Sequence, residues 1–333
     1  MIRLSARYAS LAALVPFSLS VFAAAAQQQV PPAPAQEPSA TAPSGPTPAA
    51  APAFPKPDPA NFTATTPSKE VINSFLQNSW GYDDTRIWQV QAILKTSVDG
   101  VSKVVIFVGD KSGKQKPSAL QFFALPDGKH IIAGDEVIPF GDHPYADYRA
   151  QLQQRADGPY RGSVAKDLEL VEFADFQCPH CKEAQANMEK LAVDFPKAHI
   201  VFQSYPLERI HPAAKTAAEY GFCVTKQGGS NAFFTFASAV YEGQDGLATS
   251  DGATLTLNSS VTKAGLDPAK IAACAATPAV GAQVEASVKL AQDLNIGQVP
   301  TLVVNGRQVP ANSPYETLKQ IIQYQAKLDG IAQ

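Results

Sequence analysis

Apolar and polar residues follow four patterns in turn along the chain. The first is an apolar run from Leu11 to Ala26, and the second, over residues 27–67, is almost entirely proline, alanine, glutamine, serine and threonine. Residues 68–148 then combine one helical pattern with several strand patterns. Residues 160–328 alternate apolar strand-like runs with amphipathic helices. These patterns predict two folded domains that follow an N-terminal region without a core.

The first 26 residues have the organisation of a secretory signal peptide. Arg3 and Arg7 precede the apolar run, and small residues from Ala24 to Ala26 offer a cleavage site before Gln27. The run is too short and too rich in small residues for a good membrane anchor. Export would place the mature chain in an oxidising compartment such as the periplasm, where disulfides persist. Residues 27–67 cannot bury a core, so we expect a disordered, polyproline-like linker there.

Residues 68–148 are predicted to form a small α+β domain. Ser68 is the expected start of a helix, because apolar residues recur after it at helical spacing. Strand-like runs separated by turn sequences follow, and they form a meander. These runs are Ile87–Ser97, Val101–Val108, Leu120–Leu125, His130–Ile132 and Val137–Phe140. We expect residues 146–156 to be a short helix that links this domain to the next.

The second domain is predicted to start near Tyr160 with a strand–helix–strand unit. Residues 167–175 and 199–204 are the expected strands, and residues 182–194 form the helix between them. Helical patterns then interrupt the fold over residues 211–295. They are Thr216–Cys223, Asn231–Tyr241, Thr256–Ala264, Pro268–Ala275 and Ala279–Asn295, and Tyr315–Leu328 is the expected C-terminal helix.

Two cysteines lie where the predicted strand at residues 167–175 gives way to the following helix. Pro179 and His180 separate Cys178 from Cys181. Unpaired N–H groups and the helix dipole favour a thiolate at a helix N-terminus. Pro179 suits the first helical turn, and a protonated His180 would lower the pKa of Cys178 further. We therefore expect Cys178 to be the nucleophile and Cys181 the resolving thiol of a redox-active pair.

Other uses of a Cys-x-x-Cys pair remain open, namely half of a zinc site, a Cu(I) site or a structural disulfide. Zinc is disfavoured because the other cysteines, Cys223 and Cys274, are single and far apart. A Cu(I) carrier should have methionines near its thiols, and the chain has only 2. We predict no metal site and no cofactor. Since an oxidising compartment joins thiols that meet, we expect Cys223 and Cys274 to form a structural disulfide.

Glu172 and Pro300 are the other residues to which we assign a role. Glu172 lies six positions before Cys178 in the predicted strand, which places it beneath the dithiol. A buried carboxyl there would have a raised pKa and could exchange protons with Cys181, although an outward-facing acid remains an alternative. Pro300 opens an apolar run that we interpret as a strand, at the strand position where proline is tolerated.

Two segments resemble the DsbA family of exported thiol–disulfide oxidoreductases. They are Glu-Phe-Ala-Asp-Phe-Gln-Cys-Pro-His-Cys-Lys at residues 172–182 and Gly-Gln-Val-Pro-Thr-Leu-Val-Val-Asn-Gly at residues 297–306. The resemblance covers about residues 160–328. It implies an α/β fold class, a thioredoxin fold with the helical insertion at residues 211–295, here preceded by the small α+β domain. It also implies protein thiols or disulfides as substrates and a membrane redox partner.

The resemblance further implies roles for individual residues. Cys178 would be the exposed attacking thiol, Cys181 its partner and Glu172 the buried acid. A cis peptide bond between Val299 and Pro300 would lie beside the dithiol, where both residues help to shape the groove for the substrate peptide.

Features of the chain point in different directions on the type of reaction. The Pro179-His180 dipeptide and Val299 before the proline favour an oxidase. Residues 122–135 have a weaker similarity to the end of the N-terminal dimerisation domain of the DsbC and DsbG isomerases, which suggests a homodimer through residues 68–148. An isomerase, a reductase and a non-catalytic envelope chaperone or Cu(I)-binding module therefore remain alternatives.

The charge balance argues against nucleic acid as a partner. The chain of 333 residues has 27 basic and 30 acidic residues, for a net charge of -3. Since no basic patch stands out, no surface suited to a phosphate backbone is predicted.

Overall fold

The computed structural model describes residues 54–113 and 116–331. All of these residues belong to one compact unit of the chain, Ala49–Gln333. The predicted signal peptide, residues 1–26, and residues 27–53 of the predicted linker lie outside the described residues.

Residues 54–67 pack against the small domain, although we expected a disordered linker as far as residue 67. Phe62 forms a β-bridge with Ile93, and the amide of Ala64 donates to the carbonyl of Ile93 at 3.0 Å. Ala64 is buried in the core of the small domain. The expectation failed here because composition reports the average polarity of a segment, whereas single apolar residues such as Phe62 and Ala64 can each fill a site on a neighbouring sheet.

The small domain consists of one helix on a five-stranded antiparallel meander. Helix α1 (Lys69–Trp80) begins after Ser68, whose hydroxyl accepts a hydrogen bond from the Val71 amide at 3.3 Å. The strands pair in chain order. They are β1 (Arg86–Lys95), β2 (Ser102–Asp110), β3 (Ser118–Ala124), β4 (His130–Ala133) and β5 (Glu136–Pro139). These strands coincide with the predicted runs apart from one or two residues at their ends.

The second domain is built on a five-stranded mixed sheet. Its strands are β6 (Tyr160–Gly162), β7 (Glu169–Ala174), β8 (His199–Ser204), β9 (Thr301–Val304) and β10 (Arg307–Pro310), in the spatial order β10-β9-β7-β8-β6. Strands β7 and β8 are parallel, and the other pairs are antiparallel. The sequence pattern does not predict β6 or β10. Strand β6 is Tyr-Arg-Gly and β10 is Arg-Gln-Val-Pro, so neither contains an apolar run.

Seven helices accompany this sheet among the described residues from Ala146 onward. They are α2 (Ala146–Arg155), α3 (Pro179–Asp194), α4 (Ala214–Glu242), α5 (Ser250–Lys263), α6 (Pro268–Ala275), α7 (Pro278–Asp293) and α8 (Tyr315–Leu328). Helices α3 and α8 cover one face of the sheet, and α2 and α7 cover the other. The predicted fold class is confirmed: an α/β thioredoxin fold with a helical insertion, preceded by a small α+β domain.

The alternation of side chains along β7 decides which residues can face the dithiol. All six residues of this central strand are buried. Leu170 packs with α3 and α8, whereas Val171 and Phe173 pack with α2 and α7. Because successive side chains point to opposite faces of a sheet, Glu172 lies on the same face as α3.

The helical insertion is tied together by a disulfide. Cys223 of α4 and Cys274 of α6 are bonded, with their Cα atoms 6.0 Å apart. The two helices predicted at Thr216–Cys223 and Asn231–Tyr241 are both parts of α4, which departs from helical geometry at Gly229 with φ 74°. A 3₁₀ helix at Gln244–Ala248 connects α4 to α5.

Helices α6 and α7 are consecutive apolar helices that are bent relative to each other. Among residues 54–113 and 116–331, no single helix combines the length and the apolar content of a span. Helices α6 and α7 have the required length and apolar content only when they are taken together, and the two helices are bent by 70° relative to each other. Ile271 of α6 and Leu290 of α7 are buried in the second domain.

The two domains meet around one buried arginine. Arg307 of β10 is 3% exposed. Its guanidinium lies 5.0 to 5.9 Å from the ring centroids of Tyr82, Tyr145 and Tyr324. Tyr82 follows α1, and Tyr324 belongs to α8. The hydroxyl of Tyr324 donates to the carbonyl of Gln77 in α1 at 2.7 Å. Side chains from both domains therefore form a single closed junction.

Candidate active site

The dithiol lies at the turn between β7 and α3. Cys178 is the N-cap of α3, with extended backbone angles of φ -77° and ψ 122°, and Pro179 is the first helical residue. The carbonyl of Cys178 accepts hydrogen bonds from the amides of Cys181 and Lys182, at 3.1 and 3.2 Å. Both Cys178 and Cys181 are free thiols. The chain thus presents its first cysteine at the end of a helix where several N–H groups are available.

The two thiols have opposite acidities. A hydrogen bond from the Cys181 side chain, aided by the backbone N–H groups of Cys181 and His180, lowers the pKa of Cys178 to about 6, against the opposing effects of burial and of the Asp175 charge. Burial raises the pKa of Cys181, and the shared hydrogen bond with Cys178 raises it further. At neutral pH Cys178 is therefore mainly a thiolate and Cys181 a thiol.

Cys178 is less exposed than the resemblance implied. Cys178 is 6% exposed, and Cys181 is completely buried. The carbonyl of Val299 lies 3.9 Å from the sulfur of Cys178 and contributes to this cover. Most of Cys178 is therefore shielded from solvent.

His180 lies beside the dithiol, but its ring is engaged elsewhere. Its Nδ1 is 3.0 Å from a carboxylate oxygen of Glu183, and both side chains are well exposed. The hydrogen bond to Glu183 raises the pKa of His180, and the charge of Cys178 adds to this effect. The backbone N–H of His180 reaches Cys178 directly. The exposed ring is screened by water, so the main-chain N–H of His180, and not its imidazole, lowers the pKa of Cys178.

Glu172 is buried beneath the dithiol on the face that α3 covers. Its Oε1 accepts a hydrogen bond from Nε2 of Gln185 at 2.9 Å, and the same amide donates to the carbonyl of Cys181 at 3.1 Å. Burial raises the pKa of Glu172 to about 7, although Gln185 and the charge of Arg161 oppose this shift. A carboxyl that titrates near neutrality can both donate and accept a proton there.

Val299 and Pro300 complete the site from the opposite side. The peptide bond between them is cis. Pro300 is buried directly before β9, and its carbonyl accepts a hydrogen bond from the Ala311 amide at 3.0 Å. The proline offers no N–H, so the carbonyl of Val299 is the backbone group that points at Cys178.

The structure brings most of the residues singled out from the sequence to one place. The residues that surround the end of β7 are Glu172, Cys178, Pro179, His180, Cys181, Val299 and Pro300. The Cys223–Cys274 disulfide lies in the insertion, and it shares an apolar cluster with the dithiol through Cys223. Among the described residues, no three His, Cys, Asp or Glu side chains are placed to hold a metal ion.

Several polar residues around the loop were not expected from the sequence. Asp175 is buried and accepts hydrogen bonds from the amides of Gln177 and Leu207, at 2.7 and 2.8 Å. Nδ1 of His211 lies 2.8 Å from the same carboxylate. The position of Asp175 directly before the motif could have indicated a turn-forming acid, but its partner His211, from 36 positions further along, carries no local signal.

Comparison with known proteins adds a family assignment for the second domain. A family model described as thioredoxin matches residues 154–324. The Na(+)/H(+) antiporter NhaA 3 of Salinispora tropica is 29% identical over 148 residues, which cover 44% of this chain and 22% of that protein. The NhaA 1 antiporter of Salinispora arenicola is 35% identical over 68 residues, which cover 20% of this chain and 10% of that protein. The chain thus spans about a fifth or less of these relatives.

Solved structures similar to this chain cover about half of it. A thioredoxin-like oxidoreductase from Silicibacter pomeroyi is 25% identical, with a TM-score of 0.45, and the match covers 54% of this chain and 98% of that one. The thiol-disulfide exchange protein alpha-DsbA2 of Wolbachia pipientis is 20% identical, with a TM-score of 0.46, over 54% of this chain and 96% of that one.

Proposed function

Because the chain belongs to the thioredoxin family, we propose that it is an exported thiol–disulfide oxidoreductase that forms or exchanges disulfides in protein substrates through Cys178 and Cys181. The observation that carries this proposal is the opposite acidity of the two thiols, one lowered to a pKa of about 6 and the other raised by burial. A thiolate that is also a good leaving group is what disulfide exchange requires.

In the oxidising direction, a thiolate of the substrate attacks the sulfur of Cys178 in the Cys178–Cys181 disulfide. The bond between the two cysteines breaks, and Cys181 leaves with the electron pair. Because the Cys181 thiolate is disfavoured by burial, it takes up a proton, and we propose Glu172 as the donor because its pKa is raised to about 7. The product is a mixed disulfide between Cys178 and the substrate.

A second substrate thiolate then attacks the substrate sulfur of this mixed disulfide. A new disulfide forms in the substrate, and Cys178 leaves as a thiolate. Two electrons have passed from the substrate to the dithiol, which must be reoxidised by a redox partner, for which we propose a membrane protein. The stabilised Cys178 thiolate favours the reduced enzyme, so we propose an oxidase rather than a reductase.

Val299 and Pro300 are proposed to bind the substrate peptide beside Cys178. The carbonyl of Val299 already lies 3.9 Å from the sulfur, and an incoming peptide amide can donate to a carbonyl in this position. Proline at position 300 keeps a competing N–H away from the thiolate.

The decisive experiment is a redox titration of the Cys178–Cys181 pair against glutathione, together with oxidation of reduced ribonuclease. We expect an oxidising potential and rapid disulfide formation, both lost in Cys178→Ser. A strongly reducing potential would instead identify a reductase. Failure of the wild-type protein to exchange disulfides with either reagent would leave the chaperone or Cu(I)-binding alternatives.

We also propose that residues 68–148 form a domain of their own that joins two copies into a dimer. The support is the unpaired edge of β5, which pairs within its sheet only with β4, and the exposure of Val137 on that edge. Light scattering should find a dimer for the wild type and a monomer for Val137→Lys.

A monomeric wild type would refute the dimer. A dimer that fails to rearrange scrambled ribonuclease would exclude the isomerase alternative and leave the oxidase.

A further inference from the structure

The loop that leads to Cys178 is bonded to the helical insertion along its length. The side chain of Gln177 donates to the carbonyl of Leu247 at 3.1 Å and accepts from the amide of Ala213 at 2.8 Å. The hydroxyl of Tyr241 donates to the carbonyl of Asp175 at 3.5 Å. None of the partners belongs to the sheet, so the insertion, and not the sheet alone, determines the shape of this loop.

Gln244, another residue of the insertion, makes two further hydrogen bonds to this loop, one of them to Cys178 itself. It is 8% exposed and begins the 3₁₀ helix that connects α4 to α5. Its Nε2 donates to the carbonyl of Phe176 at 2.8 Å and to the carbonyl of Cys178 at 3.0 Å. One amide group therefore holds the chain on both sides of Gln177.

We propose that Gln244 is a positioning residue for Cys178, and that it holds the backbone bend in which the thiolate is stabilised. This inference rests on the proposed function as a thiol–disulfide oxidoreductase. The sulfur of Cys178 is reached by the side chain of Cys181 and by backbone N–H groups of α3 from the extended N-cap conformation of Cys178. Gln244 fixes that conformation through the carbonyl of the same residue.

The effect of Gln244 should differ between the two redox states. In the oxidised state, the covalent bond between Cys178 and Cys181 keeps the two sulfurs together whether or not Gln244 is present. In the reduced state the two sulfurs are not joined, so the position of Cys178 depends on packing and on hydrogen bonds such as that from Gln244. Loss of the Gln244 amide therefore weakens the reduced state more than the disulfide, which makes the protein a weaker oxidant and the thiolate less abundant at low pH.

The test is Gln244→Met, which preserves the size of the side chain and removes both donors. We expect alkylation of Cys178 by iodoacetamide at pH 5 to slow about tenfold, since hydrogen bonds of this kind contribute about 1–2 kcal/mol. The equilibrium with glutathione at pH 7 should shift about fivefold towards the disulfide. Gln244→Asn retains the amide on a shorter side chain and should give a smaller change in the same direction.

Gln203→Met is the matched control. Gln203 is 3% exposed on β8, and its amide donates to the hydroxyl of Ser287 at 2.9 Å on the side of the sheet that α7 covers. Both methionine variants remove buried hydrogen bonds and should lower the free energy of unfolding, but only Gln244→Met should alter alkylation and the glutathione equilibrium.

Equal alkylation rates in the wild type and Gln244→Met, or the same slowing in Gln203→Met, would overturn the positioning role. If Gln244→Met does not fold, Gln244→Asn decides the question by the same two measurements. Alkylation requires no protein substrate. A wild type that fails to oxidise ribonuclease would therefore contradict the proposed function, while the ratio of alkylation rates would still decide the role of Gln244.

Discussion

Two cysteines three positions apart acquire different chemistry because they occupy different places on one helix turn. Cys178 precedes the helix, where N–H groups and the thiol of Cys181 point towards its sulfur. Cys181 lies inside the first turn and is fully buried, so ionisation would strand a charge in an apolar environment. The proposed direction of exchange rests on this asymmetry between the two thiols.

The first prediction concerns the titration of Cys178. Since its pKa is lowered to about 6, thiolate absorbance at 240 nm in the reduced protein should appear with a midpoint near pH 6, and it should disappear in Cys178→Ser. A lowered pKa in the folded state stabilises the reduced fold above the pKa of an unfolded thiol. This stabilisation is lost as the pH falls through about 6. A midpoint near that of a free thiol would contradict the assignment.

The second prediction concerns Glu172→Gln. Burial raises the pKa of Glu172 from 4.5 to about 7, so the folded state binds a proton that the unfolded state has already released between these values. The wild type should therefore lose stability relative to Glu172→Gln as the pH rises from about 4.5 through 7, by up to about 3 kcal/mol. Urea unfolding of both reduced proteins at pH 5 and pH 8 measures this difference. Parallel pH dependences would show that Glu172 does not titrate there.

At the scale of elements, the site depends on three segments that are remote in sequence. The turn between β7 and α3 supplies the thiols, the segment before β9 supplies the Val299 carbonyl, and the insertion supplies the bonds that hold the loop. The aromatic ring of Phe176 is packed against Phe202 of β8 and Phe236 of α4, with centroids 5.2 and 5.7 Å away. The stability of the insertion is therefore linked to the shape of the loop.

The third prediction concerns the disulfide that ties the insertion together. The disulfide between Cys223 and Cys274 spans 51 positions, so its removal in the double variant Cys223→Ser, Cys274→Ser should lower the free energy of unfolding by about 3–4 kcal/mol. Urea unfolding of oxidised wild type and variant measures the loss. The Cys178–Cys181 pair should still form its own disulfide, as a thiol count can check. An unchanged unfolding midpoint would mean that the bond contributes nothing to the fold.

At the scale of the whole molecule, the small domain is held on the second domain by aromatic and polar contacts around Arg307. Among the described residues, no hydrogen-bond partner reaches the three guanidinium nitrogens. The cation is instead surrounded by the faces of three tyrosines drawn from both domains. A cavity of about 1020 Å³ lies next to this junction, between the sheet of the small domain and the segment before Pro300.

The fourth prediction concerns this junction. Arg307→Ala removes the cation and leaves a void, so it should lower the free energy of unfolding by about 2–4 kcal/mol. Hydrogen exchange should speed up in α1 and α8, which meet there. Arg86→Ala is the control, because Arg86 also lies over an aromatic ring, that of Trp80 at 5.3 Å, but is partly exposed. Equal effects of the two substitutions would show that Arg307 has no special role.

Local patterns in the sequence were sufficient for much of the fold. The strand and helix periods predicted β1 to β5, β7, β8 and α8, because residues two apart on a strand or three to four apart on a helix share a face whatever lies beyond them. The position of Cys178 at a helix start follows from Pro179 and the apolar strand before it, again from residues close together in the chain. Glu172 could be placed beneath the dithiol by counting along a single strand.

Only the tertiary structure decided which distant groups complete the site. Gln244 meets the carbonyl of Cys178 across 66 positions, and Val299 meets its sulfur across 121. A glutamine in a short 3₁₀ helix has no periodicity that would distinguish it from a surface residue. The cover over Cys178, the contact between His211 and Asp175, and the tyrosines around Arg307 likewise depend on how separate elements pack. Sequence spacing determines what is adjacent along one element, whereas hydrogen bonds and burial between elements exist only after the chain has folded.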